Sequence, residues 1–216
     1  MICRDRKIIF IHIPKCGGTS IENIIWSAPR SERTTDDLWG GIVKGMSNPY
    51  QTGGLQHLTA QHVRTAVGQE MFEQCFRFTV VRDPLKRIVS QYRYMATRPP
   101  LRRYIGMKRD DDFGTYLDRT QAREHVQWMP QHLFLTDTDG SLLVDKIYRL
   151  ETLSQDVTDL SDRLDLGIDT LPHANKSASS KLKLTREDVE RVFEIYAADY
   201  DLLDYPRESH GLIADA

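Results

Sequence analysis

Residues able to bind a phosphate group lie near the start of the chain, between an apolar stretch and a helix-like pattern. The stretch Ile8–Ile13 is mainly apolar, and it is followed directly by Pro14-Lys15-Cys16-Gly17-Gly18-Thr19-Ser20. Glycines let backbone N–H groups approach phosphate oxygens, and the first turn of a helix adds partial positive charge. Lysine supplies a mobile cation, and the two hydroxyl groups are hydrogen-bond donors. The segment therefore predicts an anion-binding loop between a strand and a helix.

The order of residues in this loop separates it from the nucleotide-kinase loop. That loop reads G-x-x-x-x-G-K-[ST], with the lysine after the glycines. Here Lys15 precedes Gly17 and Gly18. A small-molecule kinase is the main alternative interpretation, and the position of the lysine disfavours it.

A second segment, Phe78–Ser90, repeats the strand-to-helix arrangement. Arg82 stands where an apolar strand ends, and Ser90 lies about two turns into the helix that follows. An arginine at the carboxyl end of a strand and a serine on the adjoining helix can grip one phosphate from two sides. Two such sites at strand ends predict a ligand with two separate anionic groups.

The elements that would position these residues alternate between strand and helix along the chain. We expect strands over Lys7–Ile13, Phe76–Val81 and Val144–Leu150 and helices over Gly18–Ser27 and Thr59–Val67. Asp83-Pro84 is expected to cap a helix, and the capping boxes Thr152-x-x-Gln155 and Thr185-x-x-Asp188 to open two more. Residues 28–56 are expected to form a functional loop region and residues 98–112 a loop. The alternation predicts an α/β fold, a central parallel sheet flanked by helices.

Composition narrows the class of protein. The 216 residues suit a single domain over 1–216, and a net charge of −2 gives no general basic field for nucleic acid. Three cysteines without C-x-x-C spacing indicate neither a disulfide framework nor zinc. No apolar run is long enough to span a bilayer and no signal peptide is recognisable, so we expect a cytoplasmic protein. Oligomeric state is not readable from the sequence.

With these motifs, the chain resembles the sulfotransferases that use 3′-phosphoadenylyl sulfate (PAPS), within them the carbohydrate-type family 2 enzymes of bacteria and of the Golgi. The resemblance rests on Ile13–Ser20, on Val81-Arg82-Asp83-Pro84-(x5)-Ser90-x-Tyr92, on Tyr148-Arg149-Leu150-Glu151-x-Leu153, on Leu171-Pro172-His173-x-Asn175-x-Ser177, and on the closing tyrosines. These matches span roughly residues 8–206. They imply a P-loop-like sulfotransferase fold and the product 3′,5′-adenosine bisphosphate (PAP).

The resemblance also implies roles for individual residues. The loop Pro14–Ser20 would hold the 5′-phosphosulfate, Arg82 and Ser90 the 3′-phosphate, and Asn175 and Ser177 would lie over the nucleotide. Lys15 would also neutralise the charge that develops on the bridging oxygen. This chemistry consists of positioning and electrostatic stabilisation, which need no metal.

The acceptor hydroxyl must lose a proton, and two histidines are candidates for the base. His57 lies in a stretch similar to the His-x-Thr-Ala of bacterial relatives, and His62 in one similar to the Gly-His-Val of animal uronyl-type enzymes. We favour His57, just ahead of a helix start, over His62, on the helix itself. His12, inside a strand pattern, is interpreted as a packed histidine.

Two questions remain open at the level of sequence. A non-catalytic nucleotide-binding module would keep both anion sites without a useful base. The acceptor is a carbohydrate or another hydroxylated molecule, and the basic residues of the stretch 98–109 form either a solvated loop or a rim that attracts an acidic sugar.

Overall fold

The computed structural model describes residues 1–26, 57–170, 182 and 184–213. The predicted loop region 28–56 and the residues His173, Asn175 and Ser177 lie outside these ranges. Within the described ranges, no helix is both long and apolar enough to span a bilayer.

A four-stranded sheet in the order β1-β2-β3-β4 organises the first part of the fold. The strands are β1 (Ile2–Cys3), β2 (Ile8–Ile11), β3 (Phe76–Val81) and β4 (Lys146–Arg149). β1 pairs antiparallel with β2, whereas β2–β3 and β3–β4 are parallel pairs. All four residues of β2 are buried, as is typical of a strand covered on both faces. The predicted α/β fold with a mostly parallel sheet flanked by helices is confirmed.

Helices of the described residues follow the strands or connect them. They are α1 (Gly18–Ile25), α2 (Ala60–Val67), α3 (Gln69–Gln74), α4 (Pro84–Ala96), α5 (Pro99–Ile105), α6 (Phe113–Gln121), α7 (His132–Leu135), α8 (Val157–Leu164), α9 (Arg186–Ile195) and α10 (Ala197–Leu203). Asp83 caps α4, with Pro84 in the first turn, and the capping box of Thr185 and Asp188 opens α9. Both caps are as predicted.

Two predictions about local structure are wrong. Residues 98–112 are not all loop, because Pro99–Ile105 form α5, with proline in the first turn and Gly106 at its end. The pattern Thr152-x-x-Gln155 does not open a helix: residues 151–155 form turns and α8 begins at Val157, after Asp156. There the Thr152 hydroxyl contacts the Asp156 carboxylate at 3.2 Å instead of a backbone N–H group.

The chain divides into two compact units. The first comprises Met1–Arg82 and Leu133–Lys176, and the second comprises Asp83–His132 and Ser177–Ala216. The first unit contains the sheet, with buried residues such as Phe10, Phe78 and Tyr148. The second has its own hydrophobic core, formed by α4, α5, α6 and α9 around residues such as Ile88, Tyr116 and Val192. The single domain over residues 1–216 stays a prediction.

Candidate active site

The loop between β2 and α1 has a backbone shape suited to binding an anion. Lys15 has φ +68° and Gly17, at the start of α1, has φ +77°. A non-glycine residue in the left-handed region is uncommon and often marks a functional site. Turns of this kind direct neighbouring N–H groups toward one point, where an anion can bind. Lys15, Gly17, Thr19 and Ser20 are partly exposed, whereas Pro14, Cys16 and Gly18 are buried.

Both glycines of the loop are held in close contact with other parts of the first unit. A Cβ atom on Gly18 would come within 2.1 Å of the His12 imidazole, and one on Gly17 within 2.7 Å of Leu150 Cδ1. Real Cβ atoms do not approach other atoms so closely, so a side chain at Gly18 would displace the ring of His12. Because the two glycines have no side chains, the loop can pack directly against His12 and Leu150.

His12 is the packed histidine that the sequence indicates, and it joins β2 to α1. Its ring stacks on Phe10 with a centroid separation of 5.5 Å. Its Nδ1 lies 2.8 Å from Glu22 Oε1, a polar contact between two buried side chains. Since Glu22 is in the second turn of α1, this pair fixes the helix and the loop against the strand.

His57 lies beside the same strand end. Its Nδ1 is 2.9 Å from the carbonyl oxygen of His12, and the two rings meet edge to face at 4.7 Å. A carbonyl oxygen accepts only, so Nδ1 of His57 carries a proton and donates it to this bond. In the neutral ring the basic lone pair is then on Nε2.

His62 has different surroundings. It is exposed in the first turn of α2, and its Nδ1 lies 2.8 Å from the Thr59 hydroxyl, which also accepts the His62 backbone N–H as the helix cap. The structure thus places His57, and not His62, against His12, two residues before the Pro14–Ser20 loop.

Arg82 reaches the loop from the neighbouring strand. β2 and β3 run parallel with Ile11 opposite Thr79, and the Thr79 hydroxyl donates to the Ile11 carbonyl at 2.8 Å. Their carboxyl ends therefore lie at one edge of the sheet. From there Arg82 Nη1 donates to the Lys15 carbonyl at 3.4 Å. The two strand ends that the sequence singled out are brought together.

Three of the predicted site residues are not in the described part of the first unit. Ser90 is buried on α4 in the second unit. Asn175 and Ser177 fall outside the described residues. The described residues contain no group of three or more His, Cys, Asp or Glu side chains arranged to hold a metal ion.

Sequence reasoning missed two residues that shape the loop, Glu22 and Leu150. An acidic residue among the isoleucines of α1, with a histidine inside the preceding strand, is the signal that could have revealed the pair Glu22–His12. No sequence pattern near Gly17 predicts its contact with Leu150, which lies far along the chain and occupies the space that a side chain at Gly17 would need.

A glycine loop between a parallel strand and a helix, with an arginine at the end of the next strand, defines an α/β protein whose sheet carries groups suited to an anion at its carboxyl edge. The profile of the sulfotransferase family matches residues 1–206, and the chain belongs to that family. It is similar to carbohydrate sulfotransferase 10 of Danio rerio, with 22% identity over 246 aligned residues covering 95% of this chain. The chain spans 66% of the length of that relative, just under two thirds. No solved structure gives a significant match.

Proposed function

We propose that this protein transfers a sulfuryl group from PAPS to a hydroxyl group of a carbohydrate, leaving PAP as the second product. One observation carries the proposal: the Lys15–Ser20 loop and Arg82 meet at the ends of two adjacent parallel strands. Membership of the sulfotransferase family and the carbohydrate sulfotransferase relative support the reaction and the class of acceptor.

The loop residues fit a phosphosulfate group. Lys15 and Gly17 have the left-handed backbone of an anion-binding turn, the absence of a side chain at Gly18 keeps the loop closed onto His12, and α1 begins at the same point. PAPS would supply a sulfuryl group on a phosphate leaving group. Lys15 would hold the negative charge that develops on the leaving oxygen, which is electrostatic stabilisation by a fixed cation. Arg82 would hold the 3′-phosphate through its fork of N–H donors.

His57 is the proposed general base. Its bond to the His12 carbonyl fixes the tautomer and the orientation of the ring. With the proton on Nδ1, the Nε2 atom can accept the proton of the acceptor hydroxyl as it attacks sulfur.

Calorimetry with PAP, compared with ATP plus Mg²⁺, tests the donor assignment. We expect PAP to bind and ATP with Mg²⁺ to bind weakly or not at all. Lys15→Ala and Arg82→Ala should each weaken PAP binding about 10- to 100-fold, because each removes a charge-assisted hydrogen bond. Lys7→Ala is the matched control, since Lys7 is exposed at the amino end of the same strand. Preference for ATP would indicate the kinase instead.

His57→Ala tests the base. We expect transfer of labelled sulfate from PAPS to a panel of glycans to fall about 10²- to 10⁴-fold while PAP affinity is unchanged. His62→Ala should retain activity close to that of the unaltered protein, because His62 is exposed and engaged with Thr59. The reverse result would move the role to His62. PAP binding without transfer to any glycan would favour the non-catalytic module.

A further inference from the structure

A buried carboxylate lies one turn into the helix that follows the anion-binding loop, and the proposed reaction does not use it. Glu22 is on α1, four residues after Gly18, and its side chain is fully buried. The other residues on the buried face of that helix include Ile21 and Ile25. A buried carboxylate loses its hydration, and an apolar residue of similar volume often serves stability equally well. The acidic residue at this position therefore indicates a role other than packing.

Glu22 is one of three residues that enclose the imidazole ring of His12. Its Oε1 atom lies 2.8 Å from His12 Nδ1. Phe10 stacks on the ring, and Gly18 lies against the opposite edge, because a Cβ atom on Gly18 would come within 2.1 Å of Cδ2 and Nε2. A carboxylate oxygen can only accept, so at this distance it favours the form of the ring with a proton on Nδ1. Glu22 thereby holds the His12 ring in one orientation.

His12 in turn contacts His57, the proposed base, at two points. Its carbonyl oxygen accepts the Nδ1 proton of His57 at 2.9 Å. Its ring meets the His57 ring edge to face, with the centroids 4.7 Å apart and the planes at 71°. The first contact fixes the tautomer of His57, and the second restricts the rotation of its ring. Glu22, His12 and His57 all belong to the first unit.

We propose that Glu22 is a positioning residue for the general base. Through the His12 ring, it keeps His57 in the orientation that presents Nε2 to the acceptor hydroxyl. Glu22 itself touches neither the donor nor the acceptor and takes no proton from them. A misplacement of a reacting group by about 1 Å can cost about 10²-fold in rate, so an indirect contact of this kind has a measurable effect. This inference rests on the proposed function for the role of His57.

Glu22→Leu tests this role, because it removes the acceptor oxygen and keeps a side chain of similar volume. We expect kcat for sulfate transfer, at saturating PAPS and glycan, to fall about 10- to 100-fold. PAP affinity should change by less than about threefold, since Lys15 and Arg82 are unaltered. Glu22→Gln keeps an oxygen that can accept from His12 Nδ1, so it should retain kcat within about threefold of the unaltered protein.

A double-variant cycle with His57→Ala separates positioning from a general loss of structure. If Glu22 acts through His57, Glu22→Leu should lower the residual kcat of the His57→Ala protein by less than about twofold, because the base that it positions is absent. A purely structural role would lower kcat by the same factor in both backgrounds, and that result would overturn the proposal. A loss of PAP affinity as large as the loss of kcat would also overturn it, since the loop would then be the part that depends on Glu22.

Thr79→Val is the matched control for lost stability. Thr79 is fully buried like Glu22, and its hydroxyl donates to the carbonyl of Ile11, the residue before His12. The change should lower the free energy of unfolding and leave kcat within about twofold of the unaltered protein. If Thr79→Val lowers kcat as much as Glu22→Leu does, lost stability accounts for both effects and Glu22 has no positioning role.

A second variant keeps the test decisive if Glu22→Leu does not fold. His12→Leu combined with Glu22→Leu replaces both polar partners by apolar ones, a change that is often neutral for stability. The cycle with His57→Ala is then run on this protein, with the same expected and contradicting results. Failure of PAP to bind the unaltered protein would overturn the proposed function, and full activity of His57→Ala would overturn the assignment of the base. Both outcomes are distinguishable from a negative result for Glu22.

Discussion

Gly18 has no space for even a methyl group, because the imidazole of His12 lies where its Cβ would be. We predict that Gly18→Ala lowers the free energy of unfolding by about 1–3 kcal/mol, the usual cost of overpacking. The same change should weaken PAP binding, because the loop must move away from the strand. Urea unfolding and calorimetry on the purified variant measure the two effects.

The double variant with His12→Ala shows whether the ring is the cause. Removing the imidazole opens the space beside Gly18, so Gly18→Ala should cost much less in the His12→Ala background. Contacting residues of this kind are expected to be non-additive by about 0.5–3 kcal/mol. Simple additivity of the two losses would contradict the contact between His12 and Gly18.

His125 predicts a dependence of stability on pH. Its ring is buried against Trp128, its Nδ1 accepts the Gln127 N–H group at 3.1 Å, and its Nε2 has no hydrogen-bond partner among the residues that the structure describes. Burial lowers the pKa of His125 from 6.5 to about 4. Between these values the unfolded chain binds a proton that the folded protein does not. This proton binding costs the folded protein no stability above pH 6.5, and it lowers the free energy of unfolding progressively as the pH falls toward 4, by about 3 kcal/mol.

Urea unfolding between pH 7 and pH 4 measures this loss, and His125→Phe serves as the comparison. Phenylalanine keeps an aromatic ring against Trp128 but has no proton to bind. The difference in unfolding free energy between the two proteins should shift in favour of the variant as the pH falls below 6.5. A difference independent of pH would show that His125 does not titrate in this way.

Local pattern was sufficient for elements whose signals lie in consecutive residues. Phe76–Val81 is a strand as predicted, because an apolar run rich in β-branched and aromatic residues ends at Arg82 and a helix cap. The helix α5 was missed because Pro99-Pro100 and several arginines resemble a loop, although proline suits the first turn of a helix. Thr152 was misread because its hydroxyl contacts a side chain in the structure.

The residues of the candidate site were predictable from sequence where they stand at the ends of predicted strands. Gly17, Gly18 and Arg82 stand at strand ends that can be read from the sequence, so their convergence follows from parallel pairing. The pairing of His12 with Glu22, and the fit of Leu150 over Gly17, depend on how the helix and a distant strand end pack on the loop. Such contacts leave no periodic signal.

The capping box at the start of α9 allows the stability contribution of a single helix end to be tested. The Thr185 hydroxyl accepts the Asp188 N–H group at 3.0 Å, and the Asp188 carboxylate accepts that of Thr185 at 3.1 Å. We predict that Thr185→Ala lowers the free energy of unfolding by about 1 kcal/mol, because it leaves a helix N–H group without its cap. Thr65→Ala, in the exposed part of α2, should change it by less than about 0.5 kcal/mol. Equal effects in urea unfolding would contradict the capping role.

Because PAP would bind the folded protein, its binding can be measured as an increase in the stability of the whole molecule. A ligand that binds the folded state at a concentration 100 times its Kd adds about 2.7 kcal/mol to the free energy of unfolding. For a chain of 216 residues, we expect PAP at that concentration to raise Tm by about 5–10 °C. Hydrogen exchange should show the protection at the loop 14–20 and at the end of β3.

Comparison of PAP with 5′-AMP at equal concentration separates the two anion sites of the proposal. 5′-AMP lacks the 3′-phosphate assigned to Arg82, so its effect on Tm should be clearly smaller. In Arg82→Ala the advantage of PAP over 5′-AMP should largely disappear, whereas Lys15→Ala should reduce the response to both ligands. The reason is that each cation would hold a different phosphate, although both lie at one edge of the sheet. If Arg82→Ala lowers both responses in equal proportion, the arginine supports the loop through its bond to the Lys15 carbonyl and does not recognise the 3′-phosphate.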